Sequence, residues 1–261
     1  MKAPFAPSGA VLYTIPFSHY CEKARWALEY AGVPFEERGH APAINRFATA
    51  RFGGTTVPLF VRGATVLADS TDIVALADRE ASSSDRRLLP DEPDALEDAL
   101  ALEDRFDRRM GVASRAWAYT YFLPEIDKLI PYATQGVPWI QAALLRPMRG
   151  ALAGVIRRGL RIGPSTREWA RTRIQEDLDF VGERLADGRP FLVGDKLSTA
   201  DVTFAALAAP ALFPEAYGGP LPPISELSVA MADEVKRFRD TSAGAFALRI
   251  YRQHRRSAER R

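Results

Sequence analysis

Ser18 stands where the first predicted strand gives way to the first predicted helix, and Cys21 follows it by one helical turn. The N-terminus of a helix presents free N–H groups and partial positive charge, so it favours an anion such as a thiolate. The Ser18 hydroxyl could donate a hydrogen bond to that sulfur. A free thiol has a pKa of about 8.5, and such placement lowers it by roughly a unit or more, each unit being worth about 1.4 kcal/mol. The alternative is that Ser18 only caps the helix.

Cys21 is the only cysteine of the chain, so an intrachain disulfide and a zinc site built on cysteines are excluded. It lies one turn into the predicted helix, on the same apolar face as Ala24 and Leu28. Most thiols in such a position behave as small, inert hydrophobic groups. Redox chemistry at Cys21 is the other interpretation, and the sequence leaves it open.

The elements that position these residues alternate over residues 1–80 in the order β-α-β-α-β-β-α. The strands are short runs rich in β-branched and aromatic residues, and Gly32 follows the first helix as its expected end. Ser70 is predicted to be the N-cap of the third helix. The predicted strands cover residues 11–15, 33–37, 57–61 and 65–67, and the predicted helices cover residues 20–31, 43–51 and 70–78.

The remainder of the chain is predicted to be helical. Residues 81–95 are polar, contain two prolines and have no periodicity, which indicates a linker between predicted domains 1–80 and 96–261. Ser198 and Asp201 form a near capping box at the start of one later helix. The predicted helices cover residues 96–121, 167–185, 199–209 (ended by Pro210), 227–238 and 242–252.

Composition limits the function classes. The chain has 261 residues, 47% hydrophobic and 26% charged, and its net charge of +2 creates no global field that would favour nucleic acid. No uncharged run reaches the roughly 18 residues of a membrane span, and residues 1–9 lack a signal-peptide core. A soluble, cytoplasmic protein is expected. The basic tail 252–261 is expected to be solvated, with phosphate or anionic-surface binding as the alternative.

Four separated segments, in order along the chain, carry a family resemblance. Pro16–Leu28 looks like a first-helix motif, Thr56–Leu59 and Asp69–Ser70 stand where two further motifs belong, and Phe191–Asp201 is similar to the capping segment of a helical domain. With the βαβαββα half and the helical half, they resemble the cytosolic glutathione transferases of the serine type. The resemblance implies an α/β thioredoxin-like N-terminal domain and an enlarged all-α C-terminal domain.

The resemblance also implies a ligand and its binding residues. Glutathione would be the co-substrate, with Ser18 stabilising its thiolate. Val57, before a cis Pro58, would pair through its backbone with the cysteinyl part. Ser70 and its helix N-terminus would bind the γ-glutamyl carboxylate, and Asp69 would pair with the ammonium group. No metal is implied, and a homodimer is expected because the family is commonly dimeric.

Two departures from the family pattern affect the chemistry. Thioredoxin-like relatives often carry Cys-Pro-Tyr-Cys where this chain has Ser18-His19-Tyr20-Cys21, which disfavours disulfide exchange because Ser18 takes the place of the nucleophilic cysteine. His19 replaces a proline and is expected to point to solvent rather than to the sulfur. His40 could match a basic residue that some serine-type classes use on the glycyl carboxylate.

The helical half is longer than is usual for the family, with the surplus near residues 122–164. Residues 144–158 are apolar and basic, which suits a helix packed over the active-site cleft or at a dimer contact, or a helix on a membrane surface. Met110, Trp117 and Tyr121 lie on the first long helix, where the family builds its pocket for a hydrophobic electrophile, and Tyr119 and Phe122 belong to the same aromatic cluster. Structural core is the alternative for these residues.

The predicted function is therefore activation of the glutathione thiol for addition to an electrophilic small molecule. A non-catalytic glutathione-binding scaffold would bind without turnover. A thiol-disulfide reductase acting through Cys21 would lose activity in Cys21→Ser and keep it in Ser18→Ala. A glutathione-dependent lyase or isomerase would use the same site and differ only in its substrates.

Overall fold

The protein is described by a computed structural model that covers residues 9–255. Its N-terminal half consists of β1 (Val11–Thr14), α1 (His19–Ala31), β2 (Glu36–Gly39), α2 (Asn45–Ala50), β3 (Leu59–Arg62), β4 (Thr65–Leu67) and α3 (Ser70–Arg79). The strands form one sheet in the order β2-β1-β3-β4, in which β2 runs parallel to β1 and the other neighbours are antiparallel. The predicted order βαβαββα is confirmed.

The second strand begins later than predicted, at Glu36 instead of Val33. The reason is the end of α1, where Gly32 adopts a left-handed conformation with φ of 77°. The Val33 N–H then bonds the Leu28 carbonyl oxygen at 2.9 Å, which closes the helix. Since Val33 is held by the helix end and Pro34 has no N–H, pairing with β1 starts only at Glu36.

Beyond α3, the described part of the chain contains helices and no strand, as predicted. None of the helices in residues 9–255 is long and apolar enough to cross a membrane. The helices are α4 (Pro93–Arg108), α5 (Met110–Phe122), α6 (Ile126–Ala133), α7 (Trp139–Leu145), α8 (Arg149–Gly159), α9 (Thr166–Arg184), α10 (Thr199–Leu212), α11 (Val229–Arg239) and α12 (Ser242–His254), with short 3-10 turns at Ser84–Arg86 and Ile224–Glu226.

Three predicted boundaries in this half are wrong. The long helix 96–121 is divided into α4 and α5 because the backbone bends at Arg109, whose guanidinium group pairs with Asp177. α4 itself begins at Pro93, inside the predicted linker, since proline suits the first turn of a helix. Pro210 lies in the last turn of α10, which continues to Leu212. A proline there removes only one hydrogen bond, to a carbonyl one turn earlier.

The capping box that begins α10 is confirmed. The buried Asp201 carboxylate accepts hydrogen bonds from the Ser198 N–H at 2.8 Å, the Ser198 hydroxyl at 2.7 Å and the Leu192 N–H at 2.7 Å. This fixes the start of α10, a helix that is buried along nearly its whole length and packs against α1, α4, α5 and α12. Because α10 packs against α1, it joins the two halves of the molecule.

Charged residues of α1 are buried at the junction between the two halves. Lys23 is fully buried, and its Nζ lies 2.7 Å from Glu103 Oε1 and 2.7 Å from Asp107 Oδ2, both on α4. The Thr71 hydroxyl on α3 also bonds Asp107, at 3.1 Å. Lys23 therefore ties α1 to α3 and α4 through charge rather than through apolar packing.

A second buried charge cluster centres on Glu22. Its carboxylate pairs with Arg25 at 2.6 Å and with Arg255 at 2.8 Å, and it accepts the Gly218 N–H at 2.9 Å. Burial opposes the ionisation of Glu22, but the charges of Arg255 and Arg25 outweigh it, so the pKa of Glu22 is lowered. Arg25 also reaches Glu37 on β2. The pairs hold the start of α1 in a fixed position against the helical half.

Candidate functional site

A cavity of about 380 Å³ lies between the start of α1 and the helical half. The N-terminal half contributes the loop before α1, the region of α2 and the loop before β3, and the helical half contributes α5, α6, α8 and the segment around the end of α10. The N-terminal wall includes Ile15, Phe17, Ser18, His19, Tyr20, Asn45, Arg46, Thr55, Thr56 and Val57. The helical wall includes Arg115, Ala118, Tyr119, Phe122, Leu129, Ile156, Leu160, Pro210 and Phe213.

Ser18 lies on this wall as the N-cap of α1. Its carbonyl oxygen accepts the Glu22 N–H at 2.9 Å, the first hydrogen bond of the helix, and its own N–H donates to Ile15 at 2.9 Å. Its side chain makes no capping hydrogen bond. Apart from an interaction with the Cys21 thiol, the hydroxyl is open to a ligand beside the N–H groups of the first turn, which have no acceptor within the helix.

Cys21 is buried and lies near Ser18. Burial raises the pKa of the Cys21 thiol to about 11, although a hydrogen bond with Ser18 acts in the opposite direction. Such a thiol stays protonated at neutral pH, and the thiolate is the reactive form. It belongs to no metal-binding group either, since residues 9–255 contain no cluster of three His, Cys, Asp or Glu side chains suited to a metal ion. The geometry disfavours redox chemistry at Cys21.

His19 does not point to solvent, contrary to the sequence-based expectation. It is buried, and its Nε2 lies 2.8 Å from the Gly111 carbonyl oxygen on α5. Its ring centre is 4.5 Å from that of Tyr20. Burial, assisted by the charge of Arg115, lowers the pKa of His19 to about 3. The imidazole is consequently neutral and forms a fixed hydrogen bond across the two halves, directly beside Ser18.

The Val57–Pro58 peptide bond is cis, as predicted. Val57 lines the cavity, on the same N-terminal wall as Ser18. Within residues 9–255, neither the N–H nor the C=O of Val57 forms a hydrogen bond with the protein. Both groups are free to pair with an extended peptide, in the way that a short strand would.

Asp69, and not Ser70, is the N-cap of α3, so the predicted capping residue is wrong by one position. Asp69 Oδ1 accepts the Thr71 N–H at 2.8 Å, and Ser70 is the first helical residue. Neither Asp69 nor Ser70 lies on the wall of the cavity. The charge of Asp69 acts on Tyr20, a residue that does line the cavity.

His40 is not among the residues that line the cavity. Its ring stacks on Tyr13 with the ring centres 5.9 Å apart, and its Nδ1 lies 2.9 Å from the amide nitrogen of Gln141 on α7. Burial lowers the pKa of His40, which favours its neutral form. The residues of this region that do line the cavity are Pro42, Ala43, Asn45 and Arg46. The structure does not bring His40 together with Ser18 and Val57.

Met110, Trp117 and Tyr121 do not lie on the wall of the cavity. Met110 and Trp117 are fully buried in the core, and the ring of Tyr121 lies beneath the guanidinium group of Arg167 at 4.0 Å. The cause is the phase of α5, which turns a different face to the cavity. That face follows helical spacing and consists of Arg115, Ala118, Tyr119 and Phe122.

The surplus helical segment packs over the cavity. The wall includes Leu129 of α6, Ile156 of α8 and Leu160, the residue after α8. Gln141 of α7 reaches the N-terminal half, where its side-chain oxygen accepts the Ala41 N–H at 2.9 Å. Of the three interpretations of this segment, the geometry matches the helix packed over the cleft. The last six residues of the basic tail lie outside the described residues.

Two charged residues of the wall, Arg46 and Arg115, were not predicted from the sequence, whereas Tyr119 belongs to the aromatic cluster singled out on the first long helix. A signal for Arg115 exists, because it lies four positions before Tyr119 on a helix whose intervening residues are apolar. No comparable signal marks Arg46, which follows Asn45 in a short and weakly patterned helix.

The sequence matches two family models. Residues 12–85 match the model described as "Glutathione S-transferase, N-terminal domain", and residues 137–229 match "Glutathione S-transferase, C-terminal domain". A comparison with curated proteins gives no match. The two matched segments contain Ser18, Val57, Asp69 and Ser70 in the first and part of the segment over the cavity in the second.

Solved structures of the same architecture cover nearly the whole chain. A glutathione S-transferase from Sinorhizobium meliloti is 20% identical over 93% of each chain, with a TM-score of 0.57. One from Methylobacterium radiotolerans, in complex with glutathione sulfonate, is 18% identical over 92% of this chain and 94% of its own, with a TM-score of 0.53. A β-etherase from a Sphingobium species is 16% identical over 92% and 98%, with a TM-score of 0.58. At these identities the likeness establishes the fold.

Proposed function

The chain belongs to the glutathione S-transferase superfamily, and on that premise we propose that it ionises the thiol of bound glutathione at Ser18 and joins glutathione to an electrophilic small molecule. The observation that carries this proposal is the position of the Ser18 side chain. Its hydroxyl lines a cavity of suitable size at a helix N-terminus, and it is not used in capping.

The reaction needs little from the protein beyond ionisation and placement. The thiol proton passes to solvent, and the thiolate accepts hydrogen bonds from the Ser18 hydroxyl and from N–H groups of the first turn. The sulfur then forms a bond to the electrophilic carbon. In a substitution the leaving group departs with its bonding electron pair, and in an addition the neighbouring atom takes a proton from solvent. The walls of the cavity hold the two reactants together.

The peptide part of glutathione would bind along the N-terminal wall. The backbone of Val57, next to cis Pro58, would pair with the cysteinyl residue. The γ-glutamyl end would reach Asp69 and Ser70, where Asp69 Oδ2 is left for the ammonium group because Oδ1 holds the cap. Arg46, on the cavity wall, would take the glycyl carboxylate in preference to His40.

A scaffold that binds glutathione without turnover would use the same wall, so activity has to be measured as well as affinity. Titration calorimetry with glutathione, followed by conjugation assays on a panel of aryl halides, epoxides and enones, tests both points. We expect binding and turnover, with Ser18→Ala lowering turnover and Cys21→Ser sparing it. Binding without turnover would support the scaffold, and the absence of binding would overturn the proposal.

Two further expectations rest on superfamily membership. A homodimer is the proposed assembly, which sedimentation of the purified protein would test. A cytoplasmic location is proposed for the same reason, and fractionation of cells that make the protein would test it.

A further inference from the structure

A guanidinium group without an acidic partner lies in the helical wall of the cavity. Arg115 on α5 is half-buried, and within residues 9–255 it forms no hydrogen bond and no ion pair. It lies over the ring of Tyr20, whose centre is 5.6 Å from Arg115 Cζ. By contrast, Arg105 and Arg109 both pair with Asp177. A partly buried cation costs free energy that a bound anion would offset.

The rest of the lining does not neutralise this charge. Among the described residues that line the cavity there is no Asp or Glu, and the arginines are Arg46 and Arg115. His19 is neutral because its pKa is about 3. Arg46 lies on the N-terminal wall, beside the residues proposed for glutathione, whereas Arg115 lies on the helical wall. The helical side of the cavity is therefore electropositive through Arg115.

Tyr119 adds a hydrogen-bond donor next to Arg115. It follows Arg115 by one helical turn on the same face of α5. Burial raises the pKa of Tyr119 to about 12, so its hydroxyl keeps its proton. No residue in the described range 9–255 bonds that hydroxyl. Ala118 and Phe122 complete this face and are apolar. A guanidinium group and a phenol hydroxyl in an apolar wall are the elements of a carboxylate site.

We propose that the electrophile carries a carboxylate, which Arg115 binds and to which Tyr119 donates a second hydrogen bond. This rests on the proposed function, which assigns the N-terminal wall to glutathione. The apolar body of the electrophile would pack on Phe122 and Ile156. The cavity of about 380 Å³ also includes the wall assigned to glutathione, so the space left for the electrophile suits a substrate built on a single aromatic ring or a short chain.

The test compares an acid with its own ester. Dinitrobenzoate and methyl dinitrobenzoate share a ring and lack a leaving group, so their binding can be measured by calorimetry with or without glutathione. Charge-assisted hydrogen bonds predict that the wild-type protein binds the acid at least about tenfold more tightly than the ester. Arg115→Gln should remove this preference, and Arg115→Lys should keep part of it.

Two controls separate the site from general attraction of anions. Arg158→Gln removes a guanidinium group that is exposed on α8 and is not part of the cavity wall, so the preference for the acid should persist. Arg115→Leu provides a second variant in case the glutamine rebuilds a hydrogen bond. Equal affinity of the wild-type protein for acid and ester, or a preference that survives both Arg115→Gln and Arg115→Leu, would overturn the proposal.

A kinetic comparison distinguishes Arg115 as a partner of the electrophile from Arg115 as a partner of glutathione. Chlorodinitrobenzoate and its methyl ester react at the same carbon. The ratio of their kcat/KM values, each divided by its uncatalysed rate, should fall about tenfold in Arg115→Gln, while the Kd of glutathione stays the same. An equal loss for acid and ester, or a matching loss of glutathione affinity, would contradict the assignment.

The outcomes also separate this inference from the proposed function. If the acid binds through Arg115 but glutathione is neither bound nor conjugated, the proposed function fails and the carboxylate site stands. If glutathione is conjugated to the ester and the acid equally well, the proposed function stands and the carboxylate site fails.

Discussion

The junction between the two halves and the cavity differ in how their polar groups are paired. Glu22, Lys23 and Arg25 are buried, and each forms an ion pair with a partner of opposite charge. At the cavity, the Ser18 hydroxyl does not cap its helix, and Val57 and Arg115 have no hydrogen-bond partner within the described residues. The charges that join the two halves are paired within the protein, whereas the Val57 backbone and the Arg115 guanidinium group, both proposed to bind ligands, are not.

The largest effect is expected from breaking a paired charge. Lys23→Met leaves the Glu103 and Asp107 carboxylates buried without their cation, which should lower the free energy of unfolding by about 3–5 kcal/mol. Urea denaturation measures this. The matched control is Lys128→Met, whose exposed pair with Glu125 should contribute about 0–1 kcal/mol. Similar losses in the two variants would show that the buried pairing is unimportant.

The next largest effect should appear at Ser18 in the cavity, in activity instead of stability. Ser18→Ala removes a donor to the thiolate, and the loss of one such donor lowers kcat by roughly a hundredfold or more. Because the Ser18 side chain makes no capping hydrogen bond, the free energy of unfolding should change by less than about 0.5 kcal/mol. Steady-state kinetics and denaturation of the same preparation check both values. A stability loss with unchanged turnover would make Ser18 a structural cap.

A smaller effect concerns the pH dependence of the free energy of unfolding. It depends on His19, which lines the cavity and also bonds the helical half. Its pKa is about 3 in the folded protein and about 6.5 when unfolded, so on acidification the unfolded state gains a proton that the folded state does not. The free energy of unfolding should therefore fall by about 2 kcal/mol from about pH 7 to about pH 5 on account of His19.

His19→Gln keeps a donor for the Gly111 carbonyl and cannot titrate, so this part of the pH dependence should disappear. His40 and His254 remain in both proteins, so the difference between the two denaturation profiles isolates His19. Parallel profiles would mean that His19 is exposed and titrates normally in the folded protein.

The smallest effect is expected at Cys21, which is buried and has a thiol pKa of about 11. Cys21→Ala should leave conjugating activity within about twofold of the wild-type value, since a protonated, buried thiol takes no part in the proposed chemistry. A loss of activity as large as that of Ser18→Ala would instead support a thiol-disulfide reductase that acts through Cys21.

Local signals explain how much of this structure could be predicted. The order of strands and helices, the cap at Ser198 and the cis bond before Pro58 depend on short segments, and each is confirmed. The motif around Ser18 could be recognised because its residues are adjacent in the chain. The exact cap of α3 could not, because Asp69 and Ser70 are both good capping residues.

Long-range packing explains the rest. Met110, Trp117 and Tyr121 are as apolar as the residues that do line the cavity, so only the phase of α5 against α10 decides between them. The burial of Lys23 depends on Glu103 and Asp107, which are on another helix far along the chain. Gln141 draws the segment over the cavity towards His40, a contact that no local pattern contains.

The start of α1 is proposed to hold glutathione as a thiolate, and the ultraviolet absorption of the thiolate reports that ionisation. Titration of bound glutathione with pH should give a thiol pKa at least about one unit below the free value of about 8.5. In Ser18→Ala the pKa should return most of the way to the free value. A bound thiol that titrates like free glutathione in the wild-type protein would contradict the account.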